Sequence, residues 1–123
     1  MANDLLASGA AWLSEQRHRH LTRPVEYRRG SKSIQLRATV GRTTWEVDDG
    51  HGYLERFESR DFVVRAGDLA FGGERWQPRT GDRISETGST TTYEVMSPPR
   101  EPHWRNVDPD GLSIRIHTKR IDS

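Results

Sequence analysis

Histidine is the commonest general base and metal ligand, so the five His are the first residues to test for chemistry. His18 and His20 flank Arg19. On a helix their side chains would point about 200° apart and on a strand they would share a face, but no nearby Asp or Glu motif completes a zinc site. His51 lies in a turn, His103 follows Pro102, and His117 falls on what reads as the solvent side of the last strand. A Ser-His-Asp triad is recognised by geometry, so composition leaves one open, yet no Ser stands in a Gly-x-Ser-x-Gly elbow. Neither a Gly-x-x-x-x-Gly-Lys loop nor a Gly-x-Gly-x-x-Gly turn is present to cradle phosphate. Asp48-Asp49 and Asp108/Asp110 lie in turns, where Asp is favoured for its own local hydrogen bonds. The absence of cysteine excludes thiol catalysis, disulfides and thiolate metal sites, and suits a reducing compartment. These residues assign no catalytic group, no metal and no cofactor, and the chain reads as a non-enzyme.

Contact chemistry is better represented. The chain carries 17 Arg against only Lys32 and Lys119, and the planar guanidinium makes geometry-specific bonds to carboxylate or phosphate that an ammonium does not. Nineteen basic residues nearly cancel 18 acidic ones, leaving +1. Charges are interleaved, as in Glu55, Arg56, Glu58, Arg60 and Asp61, which argues against tight nucleic-acid binding because that concentrates positive charge on one face. Of four Trp, Trp45 fits a core strand position. Trp76, beside Arg75 and Pro78 in a Gly-rich stretch, and Trp104, between His103 and Arg105, suit a contact surface, since Trp and Arg are enriched at interface hot spots. A single-stranded nucleic-acid platform would use the same residue types, without the basic concentration it normally needs.

The elements that must position these residues follow from periodicity. With 123 residues the chain supports one domain, residues 1–123. Leu, Ile, Val and Phe total 23, just below the level of about one fifth that marks a thin core, so association with partners would help stability. No signal peptide is visible and nothing approaches about 18 consecutive apolar residues, so no membrane span is expected. Leu5, Leu6, Gly9, Trp12, Leu13 and Gln16 mark one face of an expected amino-terminal helix over residues 1–21. After Pro24 alternation takes over and residues 24–121 read as a β-barrel or sandwich of about six to eight antiparallel strands. Val25 and Tyr27 open it, and Arg29-Gly30-Ser31-Lys32 turns the chain. Ile34, Leu36, Ala38 and Val40 alternate up to Gly41, a place for a bend or bulge, before Thr43, Trp45 and Val47 lead to a hairpin at Asp48–Gly52. Residues 66–80 read as a long loop, with one helical turn near Gly67-Asp68-Leu69. A second hairpin turns at Thr87-Gly88-Ser89, a Pro-rich connector covers 97–102, and Leu112, Ile114 and Ile116 face inward on the last strand while Ser113, Arg115 and His117 face out.

Glu58-Ser59-Arg60-Asp61-Phe62-Val63-Val64, then Pro78-Arg79-Thr80-Gly81-Asp82-Arg83-Ile84, then Tyr93-Glu94-Val95 make the chain resemble the head-tail joining, or head-completion, proteins of tailed bacteriophages and prophages. The resemblance covers most of the chain and implies a small β-barrel with adaptable loops. It further implies a homo-oligomeric ring below the portal that bridges portal or adaptor proteins and tail proteins, with DNA passing without specific binding, and no catalytic residue or cofactor. Localisation would be the virion, after synthesis in the bacterial cytoplasm. On this reading Arg65, Asp68, Arg75, Trp76, Arg79 and Trp104 are assigned to subunit and neck contacts. The alternatives are another small phage tail or adaptor protein, and a non-viral barrel that binds single-stranded nucleic acid or a small ligand.

Overall fold

A computed structural model describes residues 22–121. The helix expected over residues 1–21 lies outside the described residues. Among the described residues nine strands follow in order: β1 Arg23–Arg29, β2 Lys32–Asp48, β3 Leu54–Arg65, β4 Ala70–Phe71, β5 Glu74–Arg75, β6 Arg83–Glu86, β7 Thr92–Val95, β8 Trp104–Asn106 and β9 Ser113–Ile121. Six of them close a barrel in the order β3-β2-β1-β6-β7-β9, with β9 returning to β3. Every pairing in the barrel is antiparallel. β8 lies end to end with β7 on the same edge of β9. Closure removes most unpaired edges, which is how a short, thin-cored sheet avoids edge-to-edge association.

Alternation explains the interior. Val25, Tyr27, Ile34, Leu36, Ala38, Phe62, Val64, Ile84, Val95, Ile114 and Ile116 are buried together, and Leu69 joins them from the 66–80 stretch. That stretch is more ordered than a plain loop. Ala66–Asp68 form a 3-10 turn, β4 and β5 make a two-strand hairpin around Gly72-Gly73, and the Trp76 N–H returns to the Leu69 carbonyl at 2.8 Å. Both glycines have positive φ, 62° and 83°, which the two-residue hairpin turn requires.

Gly41 makes no bulge: β2 and β3 pair in unbroken register from Ala38↔Val64 to Asp48↔Leu54. The apolar stripe instead changes face. Up to Val40 the even-numbered residues turn inward, whereas beyond Gly41 it is Thr43, Trp45 and Val47 that are half-buried while Arg42, Thr44 and Glu46 are exposed. At that point the ribbon leaves the barrel, its inner face meets solvent, and its outer face becomes the covered one. The return from the hairpin is one long strand, β3, from Leu54 to Arg65.

The same change relocates Trp45 and His117. Trp45 is not a barrel-core residue; it packs on Phe57 and, edge-on at 5.2 Å, on His117. His117 does point out of the barrel, yet it is only 1% exposed, because Trp45 and the connector ending at His103 cover it. Leu112 does not face inward but is 68% exposed. The Asp108 carboxylate accepts its N–H and the Ala66 N–H donates to its carbonyl, which holds that residue in the turn before β9 begins.

Candidate protein-contact site

Two buried carboxylates organise the outer surface. Asp82 lies beneath β1, where it accepts the Tyr27 hydroxyl, the Arg29 Nη2–H at 2.8 Å and the Arg79 backbone N–H at 3.0 Å. Burial first, then the hydrogen bond to the Asp82 carboxylate, pushes the Tyr27 phenol well above its ordinary range, so it stays a donor. Arg29 also donates to the Gln77 carbonyl at 2.6 Å and lies 4.4 Å over the Trp76 ring, which stacks on Phe71. His103 Nε2–H donates to the Pro78 carbonyl at 2.7 Å, a carbonyl being acceptor only. The segment from Trp76 to Arg79 is therefore held from beneath and from one side.

Asp61 organises the other cluster. Its Oδ1 accepts Ser59 Oγ–H at 2.5 Å and His117 Nδ1–H at 2.9 Å, and its Oδ2 accepts the Thr43 hydroxyl and Arg115 Nε–H at 2.8 Å. Burial alone would raise the Asp61 carboxyl, but these four donors overcome it and hold it below the ordinary carboxylate range. Ser, His and Asp thus meet, but not as a triad. Ser59 and Asp61 both face Nδ1 of the same ring, and the opposite nitrogen looks toward Glu101 at 4.0 Å, so no hydroxyl stands where the imidazole could take its proton. The cluster ties β2, β3 and β9 together. Gly41 leaves room for it, since a Cβ there would lie 3.1 Å from Arg115 Nη2.

Of the residues assigned to contacts from sequence, the fold brings four together. Arg75, Trp76 and Arg79 line a cleft of about 520 Å³ with Arg29, Lys32 and Glu74. Trp104 joins Arg75 and Trp76 in an adjoining hollow of about 270 Å³ floored by Ala66 and Ile114. Arg65, half-buried at the end of β3, and Asp68, exposed in the 3-10 turn, line neither. The two Trp are partly structural: both are half-buried and pack on the core from outside. Lys32, Arg75 and Arg79 have no carboxylate partner among the described residues.

Arg29, Lys32 and Phe71 were missed in the sequence. The first two sit either side of the β1–β2 turn and signalled only a turn; their proximity to Arg75 and Arg79 depends on Asp82 drawing the later segment onto β1. Also missed was the β2–β3 tip, where Tyr53 and Leu54 are 72% and 68% exposed. Its signal was available in a Tyr-Leu pair directly after the Asp-Asp-Gly-His-Gly turn.

The arrangement offers cationic and aromatic groups held in place on a rigid body, which is equipment for gripping another surface. No group of three or more His, Cys, Asp or Glu suited to a metal occurs among the described residues, and none of the helices among them is long and apolar enough to cross a membrane. A family model described as phage head-tail joining protein matches residues 3–123. A search among curated proteins returned no match.

Proposed function

Because the chain belongs to the phage head-tail joining protein family, we propose that its place in the phage neck is as one subunit of an oligomeric ring, fixed on one face to the portal side of the head and on the other to the tail. The observation that carries this reading is the cleft built on Asp82. Lys32, Arg75 and Arg79 present charges unmatched by any carboxylate among the described residues, around a stacked Trp76–Phe71 pair, on a loop pinned by buried hydrogen bonds. Such preorganisation lowers the ordering cost of association, and a thin-cored barrel gains stability by covering the surface. Portal or adaptor proteins and tail proteins are the partners, with Arg65, Asp68, Arg75, Trp76, Arg79 and Trp104 at subunit and neck contacts. A net charge of +1 suits a channel through which DNA slides without being held.

Complementation of a phage or prophage lacking this gene tests the reading. Without the protein, DNA-filled heads and free tails accumulate unjoined; supplying the chain restores virions. Arg79→Ala is the informative variant, because Asp82 uses the Arg79 backbone and leaves its exposed side chain free. It folds with an unchanged unfolding midpoint and joins poorly. Normal virion yield in the absence of the protein would sink the connector role, and normal joining by Arg79→Ala would remove that residue from the contact.

A further inference from the structure

The two ends of β2 present complementary surfaces. At its start, Lys32 borders the cleft of Arg75, Arg79 and the Trp76–Phe71 pair, with Glu74 the one carboxylate in the lining and Arg29 already committed to Asp82. At its far end, residues 47–55 carry Asp48, Asp49 and Glu55 with no Lys or Arg, and expose Tyr53 and Leu54. The nearest cation on the ribbon, Arg56, stands opposite Glu46 in register. Both aspartates serve the turn, Asp48 accepting the Gly50 N–H with one oxygen and Asp49 the N–H groups of His51 and Tyr53, but the Asp48 and Glu55 carboxylates have no ion-pair partner among the described residues.

Within one molecule these surfaces lie at the two ends of one uninterrupted strand. Strand β2 has 17 residues, which at about 3.3 Å per residue puts its ends up to roughly 50 Å apart. On the connector reading, we infer that the acidic, aromatic tip of the β2–β3 hairpin of one subunit seats in the basic, aromatic cleft of a second copy. Asp48 and Glu55 meet Lys32, Arg75 and Arg79, while Tyr53 and Leu54 pack on the exposed part of Phe71 and beside the half-buried Trp76. Donor and acceptor patches lie on different parts of the chain, so the contact is head-to-tail, and repetition with a closing rotation makes a ring. The ribbon suits this job because beyond Gly41 β2 has left β1; among the described residues it is held by β3, by Arg115 donating to the Arg42 carbonyl, and by Trp45 packing on His117 beside the connector at Pro99–Glu101.

Charge exchange tests the pairing directly. Asp48→Arg with Glu55→Arg at the tip, or Arg75→Glu with Arg79→Glu in the cleft, places like charges in contact and lowers virion yield in complementation by about 100-fold or more. All four changes in one chain restore yield to within about tenfold of the parent, since opposite charges again face each other. The chain has no cysteine, so Tyr53→Cys with Gln77→Cys gives a second readout free of background. Oxidised virions carrying both changes yield a ladder of disulfide-linked multimers, and either change alone yields no ladder. The pairing is overturned if each charge pair reversed alone leaves yield intact, if the fourfold variant stays defective while its unfolding midpoint is unchanged, or if virions containing the double-cysteine chain give no ladder. A protein absent from virions, or dispensable for joining, would instead count against the connector role.

Discussion

Replacing Asp61 by asparagine and, separately, by alanine distinguishes the charge at the outer-face cluster from its hydrogen bonds. Four donors converge on the two carboxylate oxygens, and Asp61, Ser59 and His117 are at most 2% exposed. In Asp61→Asn the amide oxygen can face Thr43 and Arg115, while the NH₂ faces Ser59, whose hydroxyl can turn, and His117, whose ring can change tautomer to accept. Every bond then survives, with a neutral amide in place of the carboxylate. The loss is the charge assistance to Arg115 and its neighbours, about 1–2 kcal/mol, the difference between hydrogen bonds to charged and to neutral acceptors. Asp61→Ala leaves the Arg115 guanidinium unpaired and three further donors unsatisfied, for about 3–5 kcal/mol. Urea unfolding measures both: the midpoint falls in that order with the slope unchanged, and Tm falls by about 4 °C per kcal/mol for a domain of this size. The charge effect also has a pH signature. Because the folded-state pKa of Asp61 is depressed, its contribution is present above the ordinary Asp value, about pH 4, and is lost as pH falls below it toward the folded pKa. The gap between the parent and Asp61→Asn therefore narrows below about pH 4. Equal losses for the two substitutions, or a loss for Asp61→Ala under about 1 kcal/mol, would refute the account of Asp61 as the acceptor that organises three strands.

Tyr27→Phe removes one donor from Asp82 and costs about 1.5–3 kcal/mol at neutral pH. Its phenol is raised in the fold, so the stabilisation is complete below the unfolded value of about 10 and fades above it; chemical unfolding at pH 7 and pH 10.5 shows the difference from the parent shrinking. Phe62→Ala empties a fully buried position beside Tyr93 and lowers stability by about 3–5 kcal/mol in the same assay. Trp45→Ala costs less, about 1–3 kcal/mol, and acts locally: amide exchange accelerates in residues 42–58 while β1 and β6 keep their protection. Uniform acceleration through the barrel would mean that the ribbon is not held separately.

Much of the barrel was legible because short-range rules decide it. Ile34, Leu36, Ala38 and Val40 alternate with polar residues, and each hairpin has its turn residues, such as Gly30 and Gly88 with positive φ. His117 illustrates the limit. Its outward direction follows from counting along β9, but its burial depends on Trp45, far earlier in the chain, being carried over it by a ribbon that leaves the barrel at Gly41. The contact residues divide in the same way: Arg75, Trp76 and Arg79 were readable as an Arg- and Trp-bearing loop, whereas Arg29 and Lys32 joined them only through Asp82.

A mainly β chain with balanced charge, no thiol chemistry and Arg and Trp available for contacts follows from residue order alone, because composition and a two-residue period need no knowledge of neighbours. Only the packed chain shows which side of β2 is covered past Gly41, that Ser59, Asp61 and His117 cluster without the geometry of a triad, and that a cationic cleft and an acidic tip stand at opposite ends of one strand. The physical reason is that a strand always offers two faces and two ends, and what covers each is set by partners distant in the chain.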